Sequence, residues 1–126
     1  MIDLQKQIDY WMNGAQDDLL TADILIQKKR NLHGLFFCHL AIEKALKAHY
    51  VKTIGDVAPR THNLIYLAEN AGIIFVDDHL IFLGILMQYQ LKGRYPDYNP
   101  VLPDQEVVNI YFVKTRELFQ WLKMKL

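Results

Sequence analysis

Serine is absent from this sequence of 126 residues, cysteine occurs once, and neither sign of charge is in excess. Without serine, a serine nucleophile and its catalytic triad are excluded. The single Cys38 cannot form an intramolecular disulfide, which is typical of proteins in a reducing compartment. Fourteen basic residues balance fourteen acidic ones, so no overall charge attracts nucleic acid, although a local basic patch is compatible with this balance.

Long apolar runs are also missing. A membrane-spanning helix needs about 18 or more consecutive apolar residues, and a secretory leader needs a charged region followed by an apolar one; neither is present. We therefore expect a soluble, cytoplasmic protein. Hydrophobic residues make up 52% of the chain and charged residues 22%, which argues against disorder and favours one folded domain over residues 1–126.

The spacing of the five histidines does not favour a metal site. No two of them lie three or four residues apart, and His39 with Glu43 would supply only two ligands. No Glu-x-x-His motif of a di-iron bundle occurs, nor a glycine-rich phosphate loop. We therefore expect neither a metal ion nor another cofactor. Cys38 lies among phenylalanine and leucine, so we expect a buried and unreactive thiol.

Residues 35–50 have the pattern of a helix that other helices surround. Two stripes recur at helical spacing: an apolar one at Leu35, His39, Ile42 and Leu46, and a small-residue one at Ala41, Ala45 and Ala48. Glu43 and Lys47 form an i,i+4 pair of favourable orientation, worth about 0.2–0.5 kcal/mol. We expect this central helix to run from an N-cap at Asn31 to about Thr53.

Other segments of the chain also show helical periodicity, and no sustained apolar/polar alternation of a strand occurs. The first helix is expected from Asp3 to about Lys28, with close packing or a slight bend at Gly14. The basic triplet 28–30 that follows fits a helix C-terminus in solvent or a contact with RNA.

Three more helices are expected after the central one. The third begins with an N-cap at Thr61 and ends at 70–72, the fourth begins at 77–78 and includes Leu91, and the last opens at Pro103 or Asp104. The pattern predicts an all-α antiparallel bundle. Its expected core includes Leu19, Ile42, Leu46, Leu83 and Phe119.

The segment between the last two helices carries the most candidate chemistry. Arg94 can pair with a phosphate through two hydrogen bonds, and Tyr95 and Tyr98 can stack on a base. Asp97 and Asn99 add polar groups between prolines. These five residues are candidate ligand- or phosphate-binding residues. The same composition also fits a rigid loop that packs its tyrosines onto the bundle.

Three phrases of the sequence, taken together, resemble the HEPN domain family over essentially the whole chain. They are Cys38-His39-Leu40-Ala41-Ile42-Glu43-Lys44-Ala45-Leu46-Lys47-Ala48, Thr61-His62-Asn63-Leu64 (the family more often has Thr-His-Asp-Leu) and Arg94-Tyr95-Pro96-Asp97. The resemblance implies an up-and-down antiparallel bundle of four long helices plus a short fifth helix, usually dimeric. Small family members are often encoded beside a minimal nucleotidyltransferase, in pairs that behave like a toxin and its antitoxin.

Many HEPN domains are metal-independent RNases that use an arginine followed, after four to six residues, by a histidine. Here Asn99 stands five positions after Arg94, and no histidine follows His79. An amide cannot transfer a proton near neutral pH as an imidazole does. The resemblance therefore extends only to Arg94 as a phosphate contact, and we do not expect catalysis.

Three hypotheses stay open at this stage. The first is a non-catalytic module that binds a nucleotide, an RNA or a partner nucleotidyltransferase near Arg94, in a cleft supported by His39, Glu43 and His62. The second is an RNase with a divergent site that uses His62 or His39 as base. The third is a purely structural dimer.

A homodimer is expected in each case, because the chain has more aromatic bulk than one small bundle needs to bury. Its contact is expected on the fourth helix, at Ile81, Ile85 and Tyr89.

Overall fold

The computed structural model of the protein describes residues 2–90 and 101–126, and within these ranges it contains five α-helices and no strand. The helices are α1 (Leu4–Gln27), α2 (Asn31–Ile54), α3 (Leu64–Asn70), α4 (Asp77–Met87) and α5 (Gln105–Lys125). The predicted all-α class is therefore confirmed.

Capping side chains explain where two of these helices begin. The Asp3 carboxylate accepts the backbone N–H of Lys6 at 3.0 Å at the start of α1. The Asp104 carboxylate accepts the N–H of Val107, also at 3.0 Å, at the start of α5. Each bond satisfies one N–H group that has no partner within its helix. The predicted opening of the last helix at Asp104 is confirmed.

Two predicted N-caps were wrong by one or two residues. Asn31 is the first residue of α2 rather than its cap, and its side-chain amide donates to Gln105 Oε1 on α5 at 2.8 Å. The cap of α3 is Asn63, whose side-chain oxygen accepts the N–H of Tyr66 at 3.0 Å. The Thr61 hydroxyl instead accepts the N–H of Asn63, which braces the residues before the helix.

α2 packs against all four other helices, which confirms its predicted central position. Along α1 the pairing is antiparallel, because Gly34 lies against Ile26 whereas Lys44 lies against Asp18. Along α5 it is parallel, because Asn31 bonds to Gln105 whereas His49 bonds to Leu122. The five predicted core residues are all buried: Leu19, Ile42, Leu46, Leu83 and Phe119.

The fourth helix departs from the prediction. It ends at Met87, and Gln88 and Tyr89 continue it only as a turn. Leu91, which the prediction included in this helix, lies outside the described residues. That turn directs Tyr89 into the core, where 5% of its surface is exposed. Tyr89 therefore belongs to the interior of the protomer. The dimer contact expected at Ile81, Ile85 and Tyr89 stays a prediction.

Cys38 is fully buried at the contact of α2 with α5. Burial raises the pKa of its thiol to about 12, and a hydrogen bond with Thr115 lowers it only in part. The predicted burial of Cys38 is therefore confirmed, and a thiol with this pKa is protonated at neutral pH and is a poor nucleophile. Within the described ranges, none of the helices has the length and apolar character needed to cross a membrane.

Candidate functional site

Three side chains on successive turns of α2 form a buried polar row. His39, Glu43 and Lys47 follow one another at intervals of four residues, so they share one side of the helix. Their exposed fractions are 1%, 3% and 6%. The Lys47 ammonium donates to Glu43 Oε2 at 3.0 Å. Glu43 and Lys47 are therefore a buried ion pair, in which the cost of removing both charges from water offsets much of their attraction. The stabilisation expected for an exposed pair at this spacing does not apply to them.

The segment between α2 and α3 brings His62 to this row. His62 Nδ1 lies 2.9 Å from Glu43 Oε1, and because a carboxylate only accepts, Nδ1 carries the proton and donates. The carbonyl oxygen of His62 in turn accepts a hydrogen bond from His39 Nε2 at 3.1 Å. One residue is thus fixed to α2 through both its ring and its backbone, while 46% of its side chain stays exposed.

These bonds also determine the form of His39. Its Nε2 faces a carbonyl oxygen and must donate, so in the neutral ring Nδ1 has no hydrogen. Burial lowers the pKa of His39, and the nearby Glu43 carboxylate and the bond to the His62 carbonyl oppose that shift only in part. Nδ1 is 3.8 Å from Glu43 Oε1, beyond hydrogen-bonding distance. His39 therefore acts as a neutral donor that holds the segment before α3.

α1 closes the other side of the row. Lys47 Nζ lies 5.1 Å from the centre of the Trp11 ring, within the range of a cation–π contact. One turn away, Lys44 pairs with Asp18 at 2.8 Å, and its stem lies where a side chain at residue 14 would point. A Cβ on Gly14 would come within 3.2 Å of that stem, so the close packing predicted at this glycine is confirmed.

The structure brings together three of the predicted site residues and does not describe the others. His39, Glu43 and His62 are in direct contact. The phosphate-binding candidates lie outside the described residues: Arg94, Tyr95, Asp97, Tyr98 and Asn99. Lys47 and Trp11, which complete the cluster, were not predicted as site residues, although the four-residue spacing from His39 through Glu43 to Lys47 was a visible signal.

The cluster offers one group to a ligand. Since Nδ1 of His62 is bound to Glu43 and the ring is half-exposed, its Nε2 is left as a hydrogen-bond acceptor for a ligand. Glu43 and Lys47 are buried and neutralise each other. In the described part of the chain, no three His, Cys, Asp or Glu side chains are placed to hold a metal ion.

Comparisons with known proteins agree with this helical architecture. The family model of the HEPN domain matches residues 8–125. A search of the curated proteins finds no significant match. Among solved structures, TT1696 from Thermus thermophilus is similar with a TM-score of 0.80 at 18% sequence identity, covering 95% of this chain and 98% of that one. At this identity the likeness shows the fold alone.

This chain belongs to the HEPN domain family, because the family model covers nearly its whole length.

Proposed function

We propose that this protein is a non-catalytic HEPN module that binds a phosphate-bearing ligand, a nucleotide or an RNA, or a partner minimal nucleotidyltransferase in a toxin–antitoxin-like pair. Arg94 is the phosphate contact, with Tyr95, Asp97, Tyr98 and Asn99 beside it. The cluster of His39, Glu43 and His62 supports the cleft. A cytoplasmic location belongs to the same proposal.

The observation that carries this proposal is the residue pair Arg94 and Asn99 in a chain of this family. Asn99 occupies a position where the catalytic members have histidine, and it offers no titratable group. The buried histidines cannot replace it. His39 and His49 are 1% and 6% exposed, and each donates its Nε2 hydrogen to a backbone carbonyl, at 3.1 and 2.7 Å.

The test is incubation of metal-free protein with single-stranded RNA, and separately a binding titration with the same RNA. We expect binding without cleavage, and weaker binding by Arg94→Ala at unchanged thermal stability. Asn99→His restores the spacing of arginine and histidine and is expected to gain cleavage if the two side chains meet as in the catalytic members. Cleavage by wild type that Arg94→Ala abolishes would overturn the proposal.

A second candidate function rests on the bond between His62 and Glu43. A histidine whose Nδ1 is held by a carboxylate presents Nε2 as a base, the arrangement found in many general-base sites. His62 would then take the proton of a ribose 2′-hydroxyl in an RNase with a divergent site. Cleavage by wild type that His62→Gln abolishes, but Arg94→Ala and the exposed control His33→Gln do not, would favour this alternative.

We also propose that the helices complete an up-and-down bundle of four long helices and that two copies pair through α4. The antiparallel α1–α2 contact and the parallel α2–α5 contact support the first point, since alternate helices of such a bundle run parallel. For the second, Leu80 and Ile81 are 42% and 64% exposed on α4, beside the exposed Gly84.

Light scattering tests the pairing. We expect a dimer at tens of micromolar and a monomer after Ile81→Asp, because an aspartate at a two-fold contact meets its own copy. A wild-type monomer under these conditions would remove the proposal. Partner binding is tested separately, by co-expression with the nucleotidyltransferase encoded beside the gene, where one is present.

A further inference from the structure

A depression of about 400 Å³ lies between the C-terminal end of α1 and the first half of α5. Its floor is apolar, since Ile26 and Phe112 are 5% and 9% exposed there, with Val113 at the edge. Polar side chains surround this floor: Gln27, Lys29, Gln105, Asn109 and Arg116. A concave apolar surface with a few converging polar groups, at this volume, is typical of small-molecule sites.

The charge of the rim is positive. Lys29 and Arg116 contribute two cations, and Asp23 is the one carboxylate among the described lining residues. Asp23 accepts the side-chain amide of Gln27 at 2.9 Å, and neither cation has a carboxylate within 4.0 Å in residues 2–90 and 101–126. The guanidinium of Arg116 lies 5.7 Å from the centre of the Phe112 ring, which orders it at the edge of the depression.

The backbone at Lys29 gives a second, independent observation. Lys29 has a φ of 61°, the left-handed conformation in which a Cβ is unfavourable. Among residues 2–90 and 101–126, the other two positive-φ positions follow α2 and α3 and are glycines, Gly55 and Gly72. The hydrogen bonds around Lys29 would be the same with glycine, because they come from backbone N–H groups, such as Arg30 N to Leu25 O at 2.8 Å. Glycine at position 29 would have the lower backbone energy, so the turn itself does not explain the lysine. What lysine adds at this position is its side-chain ammonium.

We propose that this depression is a binding site for an oxyanion, a phosphate or a carboxylate, carried on a flat or apolar body. Arg116 and Lys29 contact the anion. The side-chain amide nitrogen of Asn109, whose oxygen accepts from Gln105 Nε2 at 2.9 Å, donates to one of its remaining oxygens. The apolar body covers Ile26 and Phe112. This site goes beyond the proposed function, because it is built from α1 and α5 and does not use Arg94.

Phenyl phosphate is the probe, because it combines both features in one small molecule, and inorganic phosphate and benzoate separate their contributions. Binding is measured by calorimetry and by NMR shifts of the backbone amides of 109–116. We expect phenyl phosphate to bind more tightly than inorganic phosphate, and benzoate to show whether a carboxylate serves as well. Loss of a charged hydrogen-bonding partner in Arg116→Gln should weaken binding about tenfold or more.

Lys29→Gly is the most informative variant. It removes the ammonium and relieves the backbone, so we expect weaker binding together with an equal or higher melting temperature, a combination that unfolding cannot produce. Lys114→Gln is the matched control, since it removes one cation of α5 outside this depression and should leave binding unchanged. The inference is overturned if phenyl phosphate does not bind at millimolar concentration, or if it binds equally well to Arg116→Gln and Lys29→Gly.

Discussion

α2 and α4 are both apolar around most of their circumference, yet only one of them is covered. α2 is enclosed by the four other helices, and even its glutamate, Glu43, is 3% exposed. α4 buries Phe82, Leu83 and Leu86 on one side and leaves Leu80 and Ile81 largely exposed on the other. A helix that is apolar all round is expected to be buried all round. The side of α4 that carries Leu80 and Ile81 is therefore an apolar surface that the described part of the protomer leaves uncovered.

The glycines of the two helices differ in the same way. A Cβ on Gly34 of α2 would lie 2.5 Å from Cγ1 of Ile26 on α1, so this glycine permits the close approach of two helices. A Cβ on Gly84 of α4 would have no described atom within 4 Å. Within the described part of the protomer, the close contact with α1 accounts for a glycine at position 34, whereas no contact accounts for a glycine at position 84.

Truncation of core and surface residues should give the largest contrast between the two helices. Leu46→Ala on α2 is expected to lower the free energy of unfolding by about 2–5 kcal/mol, because it leaves a cavity at a fully buried position. Ile81→Ala on α4 should change it by less than about 0.5 kcal/mol under dilute conditions. Denaturant unfolding measures both. Similar losses for the two variants would show that α4 is covered even in dilute protein.

Gly34→Ala should be the next largest effect. The added methyl group collides with Ile26, so either that side chain leaves its rotamer or α1 and α2 move apart. Overpacking of this kind costs about 1–3 kcal/mol, against the stabilisation that alanine normally brings to a helix. Thermal unfolding checks the sign: a variant more stable than wild type would mean that the helices separate easily, and Gly34 would then need another explanation.

The two buried histidines of α2 predict a pH dependence of stability. Burial is the main cause that lowers the pKa of His39 and of His49, in each case below the ordinary 6.5. The unfolded chain therefore binds more protons than the folded one as pH falls below about 6.5. The free energy of unfolding is therefore highest above that pH and falls as the pH decreases below it. Each histidine lowers it by at most about 1.4 kcal/mol per pH unit.

Urea unfolding between pH 7.5 and 5 measures this slope. His49→Gln should flatten it relative to wild type, whereas His33→Gln, at an exposed position, should not. A wild-type stability that rises as the solution is acidified would contradict the sign.

Much of this fold could be predicted from the sequence, because the governing interactions are local. Helix ends follow side chains that bond their own backbone, as at Asp104, and the core follows apolar spacing, as at Leu46. The inward turn at Tyr89 and the burial of Lys47 could not be predicted. The burial of each side chain depends on which residues pack over it, and those residues are distant from it in the sequence.

The candidate site was predictable only in part, for the same reason. Glu43 and His39 share a helix face by spacing, but their meeting with His62 depends on the path of residues 55–63. The depression between α1 and α5 has no sequence signal at all, since Lys29 and Arg116 are 87 positions apart and meet only through the packing of their helices.

Gly84→Ala should give the smallest change and the clearest answer about the uncovered face of α4. In a separate protomer the new methyl group meets no described atom, and alanine in a helix interior is favoured over glycine by about 0.5–1 kcal/mol. The melting temperature at low concentration should therefore rise slightly. If a second copy crosses α4 closely at Gly84, the same methyl group obstructs that approach, so light scattering at tens of micromolar should show weaker dimerisation. A variant that is more stable and still dimerises as tightly as wild type would place the contact elsewhere, and Gly84 would then be a tolerated glycine rather than the crossing point of two helices.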